Sequence, residues 1–197
     1  MRFEIAKMEN KGDIYKLMSQ TIIPRPIAWI VTEDDGIINV APFSYFTGLS
    51  SAPATVLVSI GHKSDGTPKD TLANLRKHKR CTLCMVEEGD LEKMHYSSKA
   101  LGHEESEANA FGITTKREKK DFPPRIVTSP VVYYCELMQE IALGGATVPV
   151  VLEIKEIFVD DGIVTDREKL EIAFDPVARI GKSYAFLDEA VTPPSIP

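Results

Sequence analysis

The sequence predicts a mainly β protein, an antiparallel barrel or sandwich with a few peripheral helices. Three observations predict it. β-branched runs alternate with period two, Asp-Gly turns sit between such runs, and helical stretches are few and do not alternate regularly with strands. The last point excludes a doubly wound parallel sheet.

Lys11 to Ser19 reads as a weak helix. Ile27 to Thr32 is predicted to pair with Ile37 to Val40 across Asp34-Asp35-Gly36, because Asp-Gly tolerates the positive φ of a tight hairpin turn. Thr55 to Ile60 is a strand with Val56, Val58 and Ile60 on one face. The best helix spans Thr67 to Lys77, with Thr67 as N-cap, Pro68 in the first turn and Asp70 at the capping-box spacing. Leu72 and Leu75 form its apolar face, and Lys77, Lys79 and Arg80 suit the negative end of its dipole. Cys81 to Val86 is a further strand and Glu104 to Phe111 a weaker helix. Val131 to Ile141 alternates Val131, Tyr133, Cys135, Leu137 and Ile141. Val148, Val150, Leu152 and Ile154 continue the period. A second triplet, Asp160-Asp161-Gly162, predicts a hairpin between Lys155–Val159 and Ile163–Thr165.

The 197 residues suit one domain spanning 1–197, and 43% hydrophobic content is enough for a core. A net charge of -6 gives no global basic field for nucleic acid. No apolar run exceeds five residues, as in Ile27–Val31, so no helix spans a membrane. Arg2, Glu4, Lys7 and Glu9 interrupt the N-terminus, which lacks a signal-peptide apolar region, and three cysteines do not make a disulfide framework. A cytoplasmic protein is expected.

Several motifs fail as chemistry. Cys81 and Cys84 lie three apart on a predicted strand and so face opposite ways, which suits neither a redox pair nor a zinc site. Gly66 to Thr71 lacks the first glycine and the Gly-Lys pair of a triphosphate loop. Ser44 has no nucleophile elbow around it, and the four histidines share no metal-ligand spacing. What survives is the N-terminus of the Pro68 helix, where free N–H groups, Lys69 and Thr71 suit an anion.

Pro24-Arg25-Pro26-Ile27-Ala28-Trp29-Ile30-Val31-Thr32, then Asp35-Gly36, Asn39-Val40-Ala41-Pro42-Phe43-Ser44-Tyr45-Phe46, Ser59-Ile60-Gly61 and Lys69-Asp70-Thr71-Leu72-Ala73-Asn74 form an ordered set. With Phe174-Asp175-Pro176-Val177-Ala178-Arg179-Ile180-Gly181 and Tyr184, it resembles the flavin reductase-like, FMN-binding split β-barrel family, flavoredoxin relatives included. The resemblance runs from about Pro24 to Tyr184.

It implies a Greek-key-like split barrel, a homodimer and noncovalent FMN near the subunit interface. The implied cofactor residues are Thr32, Asn39, Ala41, Pro42, Phe43, Ser44, Tyr45, Ser59, Lys69, Asp70, Thr71 and Phe174. Tyr45 and Phe174 would neighbour the ring, Ser44 the ribityl or phosphate. Thr32 and Ser59 would offer hydroxyls, and Lys69 and Thr71 the phosphate contacts, neither of these two being expected in the core. No metal is implied. Two departures stand out. Ala146 and Thr147 occupy the place where many family reductases carry a histidine linked to nicotinamide or flavin contact, and Cys84 replaces a common asparagine.

Three functions follow from the resemblance. The first is an NAD(P)H-dependent flavin reductase, in which the cofactor carries the chemistry. The others are an FMN electron-transfer protein reduced by a protein partner, and a non-redox flavin-binding module.

Overall fold

The structure is a computed structural model that describes residues 1–188 together with Ala190, Val191 and Pro193. Its main element is a seven-stranded antiparallel sheet. The strands are β1 (Ala28–Asp34), β2 (Ile37–Phe43), β3 (Phe46–Ser51), β4 (Ala54–Gly61), β5 (Arg80–Cys84), β6 (Val131–Glu140) and β7 (Thr147–Val159). Their order across the sheet is β2-β1-β5-β6-β7-β4-β3.

That order forces the sheet to curl. β2 and β3 occupy opposite edges, yet only Ser44 and Tyr45 separate them in sequence. A flat sheet with six interstrand gaps of about 4.8 Å would hold the edges ~29 Å apart. The three Cα steps from Phe43 to Phe46 reach at most roughly 11 Å. The edges therefore meet, and Ser44–Tyr45 marks the seam of a barrel. Ser59 N–H donates to the Tyr45 carbonyl at 2.9 Å, which extends the β3–β4 ladder up to that seam.

The contiguous apolar run Ile27–Val31 is explained by burial on both faces. Ala28 and Ile30 point into the barrel with Phe43, Val58, Ile60, Leu83 and Leu152. Trp29 and Val31 point outward and are covered by Met94, Ala108, Ile113 and Ile126. These come from α3 (Leu91–Tyr96), α4 (Glu107–Ala110) and the segment beyond, α1 (Lys11–Thr21) and α2 (Asp70–His78) being the two earlier helices. Trp29 Nε1 donates to Ser97 Oγ at 2.9 Å, so the indole is buried without an orphaned donor. Cys81 falls in the interior cluster and Cys84 in the outer one, the opposite facing that their strand spacing predicts. No helix among the described residues is long and apolar enough to cross a membrane.

The two Asp-Asp-Gly triplets part company. Asp35 and Gly36 take φ 47° and 82°, and β1 pairs with β2 across the turn as predicted, with Thr32 opposite Asn39. The second triplet makes no hairpin. Residues up to Val159 pair instead with β6, Val159 opposite Val131, and Asp160 N–H donates to Pro130 O at 2.8 Å. The Asp160 side chain then accepts the Gly162 N–H and starts a short 3₁₀ turn, Asp161–Ile163. The competing partner strand decides the outcome.

The predicted start of the second helix also shifts. Thr67 is not its N-cap: its hydroxyl donates to Asp65 at 2.6 Å, and Pro68 bridges to His62. The cap is Lys69, whose extended backbone (φ −61°, ψ 152°) precedes Asp70 at the first helical position. The weaker helix expected from Glu104 shrinks to Glu107–Ala110, capped by Ser106.

Candidate functional site

Two adjoining cavities open beside the seam. The first, of about 550 Å³, is walled by Pro42, Phe43, Ser44 and Tyr45 at the end of β2, by Ser59 and Gly61 of β4, by Thr147 and Pro149 of β7, and by Lys11, Ile14, Tyr15, Met18 and Leu143. The second, of about 430 Å³, is walled by Asn39, Ala41, His62, Lys63, Asp70, Thr71 and Glu107, with the segment from Ser97 to Leu101 opposite. Pro42 and Lys69 line both, so the two are lobes of one cleft.

The strands and helix that carry these residues are fixed by a buried polar network. Asn39 Nδ2 donates to Thr32 Oγ1 and to Thr71 Oγ1, each at 3.0 Å, and Asn74 Nδ2 donates to Thr32 Oγ1 at 3.1 Å. This ties β1, β2 and the first turn of α2 together. It also corrects one expectation: Thr71 is only 1% exposed and belongs to the core, although it also borders the cleft. Glu107, 6% exposed, accepts the Val40 N–H at 3.0 Å and thereby satisfies a donor of edge strand β2. Burial holds its carboxyl pKa above the usual value, the Val40 bond opposing.

Charge at the α2 end is arranged around Asp70. Burial pushes its pKa up, but Lys63 at 2.9 Å and His103 at 3.0 Å outweigh this and hold it below the usual value. Lys69 makes no ion pair among the described residues; its Nζ lies 5.8 Å from the centre of the Phe43 ring. The first intrahelical bonds run from Leu72 and Ala73 to Lys69 O, so the earlier N–H groups of the helix have no helical acceptor. A cation and the positive end of a helix thus meet where the lobes join.

At the other end, the Tyr45 hydroxyl is buried and has no hydrogen-bond partner among the described residues. Its ring lies 5.7 Å from that of Tyr15 and 5.4 Å from the Arg25 guanidinium. Burial raises its pKa, Tyr15 adds to this and Arg25 opposes it.

Of the residues expected from the sequence, the fold gathers Asn39, Ala41, Pro42, Phe43, Ser44, Tyr45, Ser59, Lys69, Asp70 and Thr71 around the cleft. Thr32 stands behind it as an acceptor for two amides and is fully buried. Phe174 packs, half-buried, against the interior cluster and does not line either lobe. The sequence reading missed Ile14, Tyr15, Met18 and Leu143. A helix was visible at residues 11–19, but nothing in its pattern says which face meets the seam. Where the family histidine is absent, Ala146 O accepts the His62 N–H at 2.8 Å and Thr147 borders the first lobe.

A largely apolar slot beside a cationic helix start fits a flat aromatic ring that carries a phosphate. Comparison with known proteins agrees with this geometry. The chain is 30% identical over 187 residues to an uncharacterised protein of Aquifex aeolicus, covering 92% of this chain and 93% of that one. The 2-nitrobenzoate 2-nitroreductase NbaA of Pseudomonas fluorescens superposes with a TM-score of 0.88 at 25% identity, covering 100% of this chain and 96% of that one. An FMN-binding protein of Thermus thermophilus shares the fold, with a TM-score of 0.79 at 20% identity over 98% of this chain and 100% of the other. The family model described as flavin reductase like domain matches residues 18–173, a stretch that carries most of both lobes, and the chain belongs to that family of split-barrel flavoproteins.

Proposed function

We propose that this protein is an FMN-dependent oxidoreductase that draws its electrons from NAD(P)H, acting as a homodimer in the cytoplasm. The observation that carries the reading is the two-lobed cleft, with Lys69 and the start of α2 where the lobes meet and Phe43 and Tyr45 on the wall of the first lobe. Lys69, the first N–H groups of α2 and the Thr71 hydroxyl would hold the phosphate. Phe43 and Tyr45 would wall the ring, and Ser44, Ser59 and Asn39 would offer hydrogen bonds to its polar edge and ribityl chain. When bound, FMN supplies reversible two-electron redox chemistry, so the chain needs to position and desolvate rather than to provide an obligatory acid or base. FMN is favoured over FAD because the cleft offers one phosphate-sized anion site and the sequence holds no dinucleotide fingerprint.

A second reading is favoured by one observation. With Ala146 and Thr147 where the family resemblance implies a histidine, a protein donor rather than a nicotinamide would reduce the cofactor. Titration with FMN and FAD, followed by NADH and NADPH without oxygen, tests both readings. Bleaching of the visible flavin band by a nicotinamide supports the first. A bound flavin that neither nucleotide bleaches supports the second, and no flavin binding removes both. Sedimentation at micromolar concentration tests the dimer against a monomer of 21.8 kDa.

A further inference from the structure

A groove of about 560 Å³ lies beside α3, and none of the residues that wall it borders either lobe of the cleft. Its floor is one side of a short helical run. Glu88 sits on the 3₁₀ turn Glu88–Asp90, and Leu91, Glu92, His95 and Tyr96 follow at the three- and four-residue spacing that gathers side chains on one face. The far wall is Tyr184, on the strand Ser183–Ala185 near the C-terminus. Three aromatic rings therefore converge. His95 meets Tyr184 edge-on, with ring centres 5.7 Å apart, and its Nδ1 lies 2.8 Å from the Tyr184 hydroxyl. Tyr96 lies 6.1 Å from His95 on one side and 6.1 Å from Phe111 on the other.

The groove carries negative charge and lacks a cation. Glu88 and Glu92 are exposed and make no ion pair among the described residues, and no lysine or arginine lines the groove. Lys93 of α3 is not on its wall, and Arg179, 4.6 Å from the Tyr184 ring centre, does not line it either. Next to Glu88, burial and then the carboxylates of Asp175, Asp90 and Asp160 hold the Glu87 carboxyl above its usual pKa, so the surroundings are negative as well. The Tyr96 hydroxyl donates to Glu92 Oε1 at 2.7 Å, which fixes a carboxylate at the edge of a ring that is 48% exposed. An aromatic face with a carboxylate beside it attracts a cation through both the ring quadrupole and the charge. A guanidinium fits this pair better than an ammonium, because it is flat, stacks on a ring and is more weakly hydrated. Glu88, Gly89, Glu92 and His95 are all exposed, so the groove cannot enclose most of the surface of a free small ligand. A side chain held out by a larger molecule needs no such enclosure.

We infer that this groove docks an arginine-bearing segment of a partner protein. One guanidinium lies on the Tyr96 ring and pairs with Glu92, Glu88 adds to the attraction, and Tyr184 bounds the groove. The inference goes beyond the flavin reading of the cleft and stands without it. Its place in the fold is close to that cleft all the same. Ser97, the residue after α3, borders the second lobe and accepts the Trp29 N–H, so a partner seated in the groove rests on the helix that leads into the cleft wall.

Amide NMR titration of the flavin-free protein tests this with four probes: the capped tripeptide Gly-Arg-Gly, its citrulline and lysine counterparts, and spermidine. The arginine peptide is expected to bind with a dissociation constant of about 1 mM at low salt, to weaken as salt rises, and to shift the amides around Glu92, Tyr96 and Tyr184. Citrulline keeps the shape and loses the charge, so its peptide should bind about tenfold more weakly, with lysine between the two. Glu92→Gln should cost the arginine peptide about tenfold and Tyr96→Leu about fivefold, whereas Tyr96→Phe keeps the ring and should retain binding within about twofold. If Tyr96→Leu fails to fold, Glu92→Gln and the citrulline peptide still decide the matter. No binding of the arginine peptide, equal binding of the citrulline peptide, or indifference to Glu92→Gln would overturn the inference. Tighter binding of spermidine than of the arginine peptide would make the groove a small-cation site and overturn it too. So would a change in sedimentation of Glu92→Gln or Tyr96→Leu, which would make the groove a contact between copies of this chain.

Discussion

Asn39 Nδ2 donates to Thr71 Oγ1 at 3.0 Å, and this one bond joins edge strand β2 to the first turn of the helix that ends the cleft. Both residues are buried, at 7% and 1% exposure. Thr71→Val keeps the shape and removes the acceptor, leaving an amide hydrogen of Asn39 unpaired in the interior. The expected cost is about 1–3 kcal/mol of folding stability in the flavin-free protein. Urea unfolding of both proteins measures it, and an unchanged midpoint would show that Asn39 finds another acceptor.

Lys69 behaves differently because it is exposed and makes no ion pair among the described residues. Lys69→Ala is expected to leave the unfolding midpoint nearly unchanged. It should weaken FMN about ten- to a hundredfold, the scale of one charge-assisted bond to a phosphate. Riboflavin, which has no phosphate, should lose little. Flavin-fluorescence titration with both ligands reads this, and equal losses would place the phosphate away from α2.

Glu118 sets a pH dependence remote from the cleft. The Arg125 guanidinium, whose Nη2 donates to Glu118 at 3.1 Å, and then the Lys116 ammonium at 3.0 Å hold its pKa at about 2 against an ordinary value of 4.5. A carboxyl whose folded pKa is depressed stabilises the fold above its unfolded pKa, and that contribution is lost as pH falls through the folded value. Stability should therefore decline between about 4.5 and about 2 in part through this group. Glu118→Gln should lower the urea midpoint near neutral pH and match wild type below about pH 2. A constant difference at every pH would assign the effect to packing.

The three cysteines are free and buried. Burial pushes the Cys84 thiol up to about 12, and Cys135 is raised well above the usual value by its hydrogen bond with Cys81 and by burial. None should react with a thiol reagent near pH 8 within minutes in the native protein, and all should react in denaturant. Rapid labelling of any one in the native state would report local opening of β5 or β6.

How legible these features were follows from how local their causes are. The β1–β2 turn and the opposed Cys81 and Cys84 are set by nearest neighbours and strand period, and the sequence showed both. The second Asp-Asp-Gly failed because its outcome depends on β6, more than twenty residues upstream. Thr67 has the right chemistry for a cap, but Asp65 takes its hydroxyl first. The site residues on β2, β4 and α2 were readable through an ordered set of short motifs. The α1 wall was not, because helix orientation is a tertiary fact.

The seam at Ser44–Tyr45 also bears on synthesis. Strands β1 to β4 leave the ribosome as two local hairpins hinged at those two residues. The partner of β4 is β7, with Gly61 opposite Thr147, so 86 further residues must be made before that edge is paired. At roughly 5–20 residues per second this is about 4–17 s during which Val56, Val58 and Ile60 lie on an unsatisfied strand edge. The newborn half-barrel is thus an aggregation hazard for a fixed interval. A slower passage through codons 62–146 would lengthen that interval and the chain's dependence on chaperones, without changing a single contact of the finished protein.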